Sequence, residues 1–276
     1  MEDGIYLENK GKGRQCFIKT EFALQGVKRQ LDVILIEEPE NHLSHTNMRL
    51  LVKKIEESQQ NKQLFITTHN SLICSRLGLR NTFLVNSTKS LILPFNSIST
   101  STSRFFIKAP DNNILEFILS KKMILVEGDA EFILMENFYK KEIGKNLEES
   151  GVHIISVDGT SFPRYLDIAK LLKIQTVVIR DNDGDYETNC LNRYKNYTSE
   201  DYIMVFSETD NSISTFEISI FMSNQTLCKE LFKPAKKTVQ EYMIVNKTES
   251  ALKLLEREID VVVPNYIKEA IQWINN

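Results

Sequence analysis

The chain has 276 residues, 34 of them Lys or Arg and 37 Asp or Glu, for a net charge of −3 with histidine neutral. Its 42% hydrophobic and 26% charged composition suits a core-forming chain of two modest domains, or one with an appendage, and excludes wholesale disorder. The near-neutral charge argues against a basic coat for nucleic acid, but not against carboxylates that meet phosphates through metal ions.

At the N-terminus, Met1-Glu2-Asp3-Gly4 has neither a basic nor an apolar leader region, and no apolar run approaches the roughly 20 residues of a membrane span. A cytoplasmic, membrane-free chain is expected, with Cys16, Cys74, Cys190 and Cys228 as reduced thiols. Asn9-Lys10-Gly11-Lys12-Gly13-Arg14-Gln15 is a glycine-bearing loop ahead of a helical stretch. The apolar run from Asp32 to Ile36, closed by Glu37-Glu38-Pro39, predicts a buried strand with acids at its C-terminal edge. Met48, Leu51, Val52 and Ile55 fall at helical spacing. Leu64 to His69 predicts a second strand with a polar tip, and Asn70 and Ser71 can cap the helix that follows. Alternating strands and helices indicate α/β architecture with a parallel sheet.

Residues 81–95 read as a hairpin turning near Asn86-Ser87-Thr88. The Ser/Thr run from Ser97 to Ser103 reads as a surface linker, which places a boundary between domains 1–100 and 101–276. Beyond a helix at Ile114–Leu119, strands are predicted at Met123–Glu127, His153–Val157, Thr176–Arg180 and Ile203–Phe206, with helices at Glu131–Lys141 and Tyr165–Leu172. The tail carries helices at Glu249–Glu258 and Asn265–Ile274.

Two constellations carry chemistry. In the first, a strand ends in Glu37 and Glu38 and the next closes in His69. The first acid can hold Mg²⁺ against nucleotide phosphates, the second can orient water, and the histidine can sense the γ-phosphate. Alone, such a pair is usually a solvated strand edge. In the correct order with Gly11 and Gly13, these residues resemble the signature loop, Walker B, D-loop and H-loop of ABC-type ATPases. No G-x-x-x-x-G-K-[ST] occurs in the chain, so ATP binding is expected only where a chain bearing a Walker A completes the head. His42 and His45 are read as loop and helix-start residues rather than metal ligands.

In the second, Glu127-Gly128-Asp129-Ala130-Glu131 puts acids at a strand end and one helical turn later, with Gly128 read as permitting a tight turn. Asp181 and Asp183 follow an apolar strand at i and i+2, on one side of an extended chain. Converging carboxylates repel unless a hard cation such as Mg²⁺ or Mn²⁺ resolves the conflict. Asp185 is either a third ligand or a loop-solvating residue, and Asp129 is explained by the helix N-terminus. Asp158-Gly159-Thr160-Ser161 reads as a backbone approach to phosphate or a plain turn. Phe216, Phe221 and Met222 read as core, and Lys233, Lys236 and Lys237 as a small basic cluster.

The acid at one strand end with D-x-D after another resembles the Toprim fold. Together with the partial ABC head, Glu217 in Ser-Thr-Phe-Glu-Ile and Lys247 in Lys-Thr-Glu-Ser-Ala-Leu, the order resembles the OLD (overcoming lysogenization defect) family of DNA nucleases, and within it the nuclease subunit of Gabija-type anti-phage systems. The resemblance implies a partial ABC-type ATPase lobe followed by a Rossmann-like Toprim domain with a helical C-terminal tail. It implies Glu127, Glu131, Asp181, Asp183 and Glu217 as metal ligands and Lys247 as catalytic lysine, with Glu127, Asp181 and, in the head, Glu38 also in catalytic roles. It further implies two-metal DNA cleavage, oligomerisation through the head and a helicase-like partner. A silent scaffold that assembles with a Walker A-bearing chain, and a topoisomerase or primase, are the competing readings.

Overall fold

The computed structural model describes residues 6–25, 33–58, 63–77, 79–86, 91–94, 97–108, 113–157, 161–257 and 260–276. The hairpin turn expected near Ser87 and the Asp158-Gly159-Thr160 segment lie outside the described residues. The chain divides into two compact units, Met1–Leu115 and Glu116–Asn276, where the sequence places a boundary at 100.

In the first unit, α1 (Lys12–Gln25) precedes β1 (Val33–Glu37), α2 (His45–Ser58) and β2 (Gln63–Thr67). β1 and β2 pair in parallel, with Leu35 opposite Phe65 and Glu37 opposite Thr67. Ile34 packs with Phe17 and Leu24 of α1 and Leu51 and Ile55 of α2, joined by Ile36, Leu64 and Ile66. Helices therefore cover one face only. On the other, Val33, Phe65 and Leu35, the last 77% exposed, stand bare. The buried strand expected at Asp32–Pro39 is thus corrected to an alternating one, because among the described residues only one pleat face meets helices.

α3 (Ser71–Arg76) begins as expected, with the Asn70 side chain accepting hydrogen bonds from the Leu72 and Ile73 amides. β3 (Phe83–Asn86) and β4 (Leu91–Pro94) form the antiparallel pair. The Ser/Thr linker is a correction: α4 (Thr100–Lys108) starts inside it, with Thr102 and Ser103 buried. Ser99 Oγ accepts from the Thr102 amide, so the hydroxyls cap and enter a helix instead of solvating a loop.

The second unit opens with α5 (Ile114–Leu119) and β5 (Lys122–Val126), followed by α6 (Asp129–Ile143), β6 (Val152–Ser156), α7 (Phe162–Leu172), β7 (Gln175–Ile179) and β8 (Ile203–Phe206). The four strands form one parallel sheet in the order β6-β5-β7-β8. β5 and β7 are buried along nearly their whole length, as strands covered on both faces must be. Then come α8 (Phe216–Ser223), α9 (Gln225–Leu231), α10 (Val239–Val245), α11 (Lys247–Leu255) and α12 (Asn265–Asn275). The tail is no appendage. Ala251 and Leu254 of α11 and Ile267, Ala270, Ile271 and Ile274 of α12 share one core with Ile124, Val177 and Leu134. Among the described residues no helix is long and apolar enough to cross a membrane. The four cysteines are free thiols, as expected.

Candidate functional site

Parallel strands β5 and β7 are adjacent, and Val126 pairs with Ile179, so the residues just beyond them emerge side by side at one sheet edge. Glu127 follows the first strand and Asp181 the second. The Asp181 amide donates to Glu127 Oε2 at 3.3 Å, locking the two loops together. Oxygens of Glu127, Asp181 and Asp183 lie within 4.8 Å of one another, a spacing that can hold a metal ion.

The Asp pair meets for a different reason than its i, i+2 spacing suggests. β7 ends at Ile179, and Asp183 adopts the left-handed conformation, φ 52°, followed by Gly184 at φ 81°. A tight turn gathers the carboxylates, and glycine is the residue that tolerates its second left-handed position. Gly128 is also corrected. Its backbone is extended, open to any residue, and the Glu131 carboxylate folds back over it, 3.4 Å from where a Cβ would stand.

Asn182 and Arg180, which carry no motif signal, hold this turn. The Asn182 side chain is buried and donates to the carbonyls of Glu208, Asp210 and Ile213, pinning the 207–215 loop against β7. That pinning presents the N-terminus of α8, whose Phe216 amide donates to Asp181 Oδ1 at 2.7 Å. One residue on, Glu217 is 2% exposed and neither carboxylate oxygen has a hydrogen-bond partner. Lys247 Nζ stands 3.1 Å from Glu217 Oε2, an ion pair outside hydrogen-bond geometry. Lys247 is the first residue of α11, not a residue before it, because the helix runs Lys247–Leu255 in place of the expected Glu249–Glu258. A cation there opposes the helix dipole, so its position is set by the buried acid it faces.

The electrostatics follow from burial. Burial, then Glu131, Glu127 and Glu217, push Asp181 from 3.8 up to about 8. Burial chiefly pushes Glu131 from 4.5 up to about 7, with Glu217 and Glu127 adding to it and Lys247 opposing. For Lys247, burial works downward, but Glu217, Asp181 and Glu131 outweigh it and raise the ammonium's pKa. Tyr266 of α12 is buried in the same field, and burial with Asp181 and Glu131 holds its hydroxyl protonated. A buried carboxylate whose oxygens lack hydrogen bonds, three converging carboxylates and two acids driven toward protonation together form a donor set that fits a hard divalent cation.

The remaining residues separate from this set. Asp185 is exposed and caps the turn at Thr188, which resolves its reading as a loop residue. Phe216 is core, whereas Met222, expected in the core, is 48% exposed on the outer side of α8. Lys233, Lys236 and Lys237 are exposed.

The first unit carries its own polar cluster. His69 Nδ1 lies 3.5 Å from Glu38 and 3.6 Å from Glu40. Asn41 donates to Glu38 at 2.8 Å, while Glu37 is exposed at the strand end. Glu40, missed at the level of sequence, accepts from the Thr68 hydroxyl at 2.6 Å and the His69 amide at 3.0 Å and so fixes the H-loop backbone. Gly11 and Gly13 lie at the start of α1, and a Cβ at Gly13 would overlap the His42 carbonyl oxygen. That close approach accounts for the glycine.

Residues 118–183 match the family model of the overcoming lysogenization defect protein-like Toprim domain, and residues 13–75 match that of an AAA domain described as a putative AbiEii toxin of a type IV toxin–antitoxin system. Over 207 residues the chain is 26% identical to Endonuclease GajA of Bacillus cereus (strain VD045), covering 70% of this chain and 36% of that protein. It is 24% identical over 204 residues to Old nuclease of Escherichia phage P2, covering 70% of this chain and 34% of that protein. The chain is thus similar to OLD-type nucleases in its Toprim segment and along most of its length. It spans about a third of the length of these two relatives. Among solved structures, the C-terminal region of the Burkholderia pseudomallei OLD protein aligns at 22% identity and a TM-score of 0.38, covering 57% of this chain and 98% of that one. The C-terminal region of the Xanthomonas campestris pv. campestris OLD protein aligns at 20% identity and a TM-score of 0.38, covering 57% of this chain and 95% of that one.

Proposed function

We propose that this chain is a Mg²⁺- or Mn²⁺-dependent DNA endonuclease of the OLD type, acting in anti-phage defence in the cytoplasm. The observation that carries the reading is the buried Glu217, ion-paired with Lys247, beside the Glu127–Asp181–Asp183 cluster. Glu127, Glu131, Asp181, Asp183 and Glu217 would hold the ions. Bound cations supply an activated water and neutralise charge on the phosphate and the leaving 3′ oxygen. The chain's own residues do the rest. The Phe216 amide fixes one Asp181 oxygen, and burial excludes water from Glu131 and Glu217. Lys247, half-exposed, presents a fixed positive charge to a phosphodiester entering from solvent.

In the first unit, Glu38 and His69, with Glu37, Gly11 and Gly13, form the part of a nucleotide-sensing head that ATP would meet once a Walker A-bearing chain completes it. Oligomerisation through that head and a helicase-like partner belong to the same reading. The test is cleavage of supercoiled plasmid by the purified chain with Mg²⁺ or Mn²⁺. The wild type nicks, chelation stops it, and Asp181→Ala and Lys247→Ala each lose roughly 100-fold or more. Equal cutting by all three proteins refutes the assigned site.

A further inference from the structure

Arg180 stands between β7 and the carboxylate turn with every edge of its guanidinium engaged. Nε donates to the Asp181 carbonyl at 2.7 Å, Nη1 to the Tyr194 hydroxyl at 3.1 Å, and Nη2 to Asp183 Oδ2 at 2.7 Å. The group is 3% exposed and lies 5.8 Å from the centroid of the buried Tyr194 ring, which itself stands edge-on to Phe162. Such a planar fork, buried and bonded through all three of its nitrogens, is held in one orientation. The Asp183 amide donates to the Ser214 carbonyl at 3.2 Å, so Asp183 is fixed in backbone as well as side chain. One of its oxygens is committed to Arg180, and only the other is open to the cluster.

We propose that Arg180, seated on Tyr194, is the residue that sets cation specificity at this site. By occupying Asp183 Oδ2 it limits Asp183 to one ligand oxygen. A site short of bidentate carboxylates suits Mg²⁺ and Mn²⁺, which take near-octahedral geometry with one oxygen per ligand. It disfavours Ca²⁺, whose six to eight longer bonds commonly draw on bidentate carboxylates. The proposal rests on the reading of the cluster as a cation site. It differs from a charge effect, because a lysine keeps the charge but cannot hold three acceptors in one plane.

The test is calorimetric titration of the full chain with Mg²⁺, Mn²⁺ and Ca²⁺, free of DNA, for the wild type, Arg180→Lys and Tyr194→Phe. Arg180→Lys is expected to shift the ratio of Ca²⁺ to Mg²⁺ affinity toward Ca²⁺ by about tenfold, the scale on which partners of ligating carboxylates act. Tyr194→Phe, which removes one acceptor and keeps the ring, shifts it the same way by less. A folded Arg180→Lys with the wild-type ratio overturns the proposal. Should that variant fail to fold, an unchanged ratio in Tyr194→Phe does so. A wild type that binds none of the three ions overturns the cation site itself, and with it this role for Arg180.

Discussion

The acids that hold the site together are also the ones the fold works hardest to keep neutral. Asp181 and Glu131 rise to about 8 and about 7 because burial and mutual repulsion disfavour their charged forms. An acid with a raised folded-state pKa keeps protons that the unfolded chain releases. Its contribution to stability is complete below the unfolded value near 4 and is lost as pH climbs through the folded value. Metal-free protein should therefore melt at progressively lower temperature between pH 5 and pH 8. Added Mg²⁺ should restore more at pH 8 than at pH 5, and Asp181→Asn should flatten the slope. A melting temperature that rises across this window in the absence of metal contradicts the assignment. The acids themselves are legible in the sequence, since a carboxylate ending an apolar strand is a visible anomaly. Arg180, Asn182 and Glu40 are not. Arg180 and Asn182 show no pattern until the acceptors around them are placed, and Glu40 shows none until its donors on Thr68 and His69 are.

At the level of elements, the site is a joint between the turn after β7 and the N-terminus of α8, and Asn182 is its pin. Removing the side chain leaves three part-buried carbonyls without this donor. Asn182→Ala should cost roughly 1–3 kcal/mol in denaturant unfolding. It should also weaken Mg²⁺ binding, because Phe216 and Glu217 ride on the loop it holds. Unchanged cation affinity would show that α8 is placed by other contacts. The strands and long helices were readable from period and length. The helices at Phe216–Ser223, Gln225–Leu231 and Val239–Val245 were not foreseen. The Ser/Thr run misled as well. Composition marks it as loop, whereas hydrogen bonding at Ser99 starts a helix within it.

At the level of the molecule, the whole carboxylate site, including Lys247, is built by residues of the 116–276 unit. That unit has its own four-stranded sheet and a core closed by α11 and α12. Expressed alone, 116–276 should melt cooperatively and bind Mg²⁺ within about twofold of the full chain, by calorimetry. Removal of α12 should abolish the transition, because Ile267, Ala270, Ile271 and Ile274 are all fully buried. Loss of cation binding in an intact, folded 116–276 piece would place part of the site in the first unit.

Periodicity, strand-end acids and the order of motifs suffice by themselves for the α/β class, the parallel sheet, the OLD resemblance and the candidate carboxylates, because each is legible from residue type, local spacing and order along the chain. Tertiary structure alone decides that the tail is core, that a left-handed turn rather than strand pleat joins Asp181 to Asp183, and that Arg180 takes one oxygen of Asp183. The first depends on packing between residues far apart in the chain, and the other two on backbone dihedrals and a side-chain hydrogen bond that residue type and spacing alone do not specify.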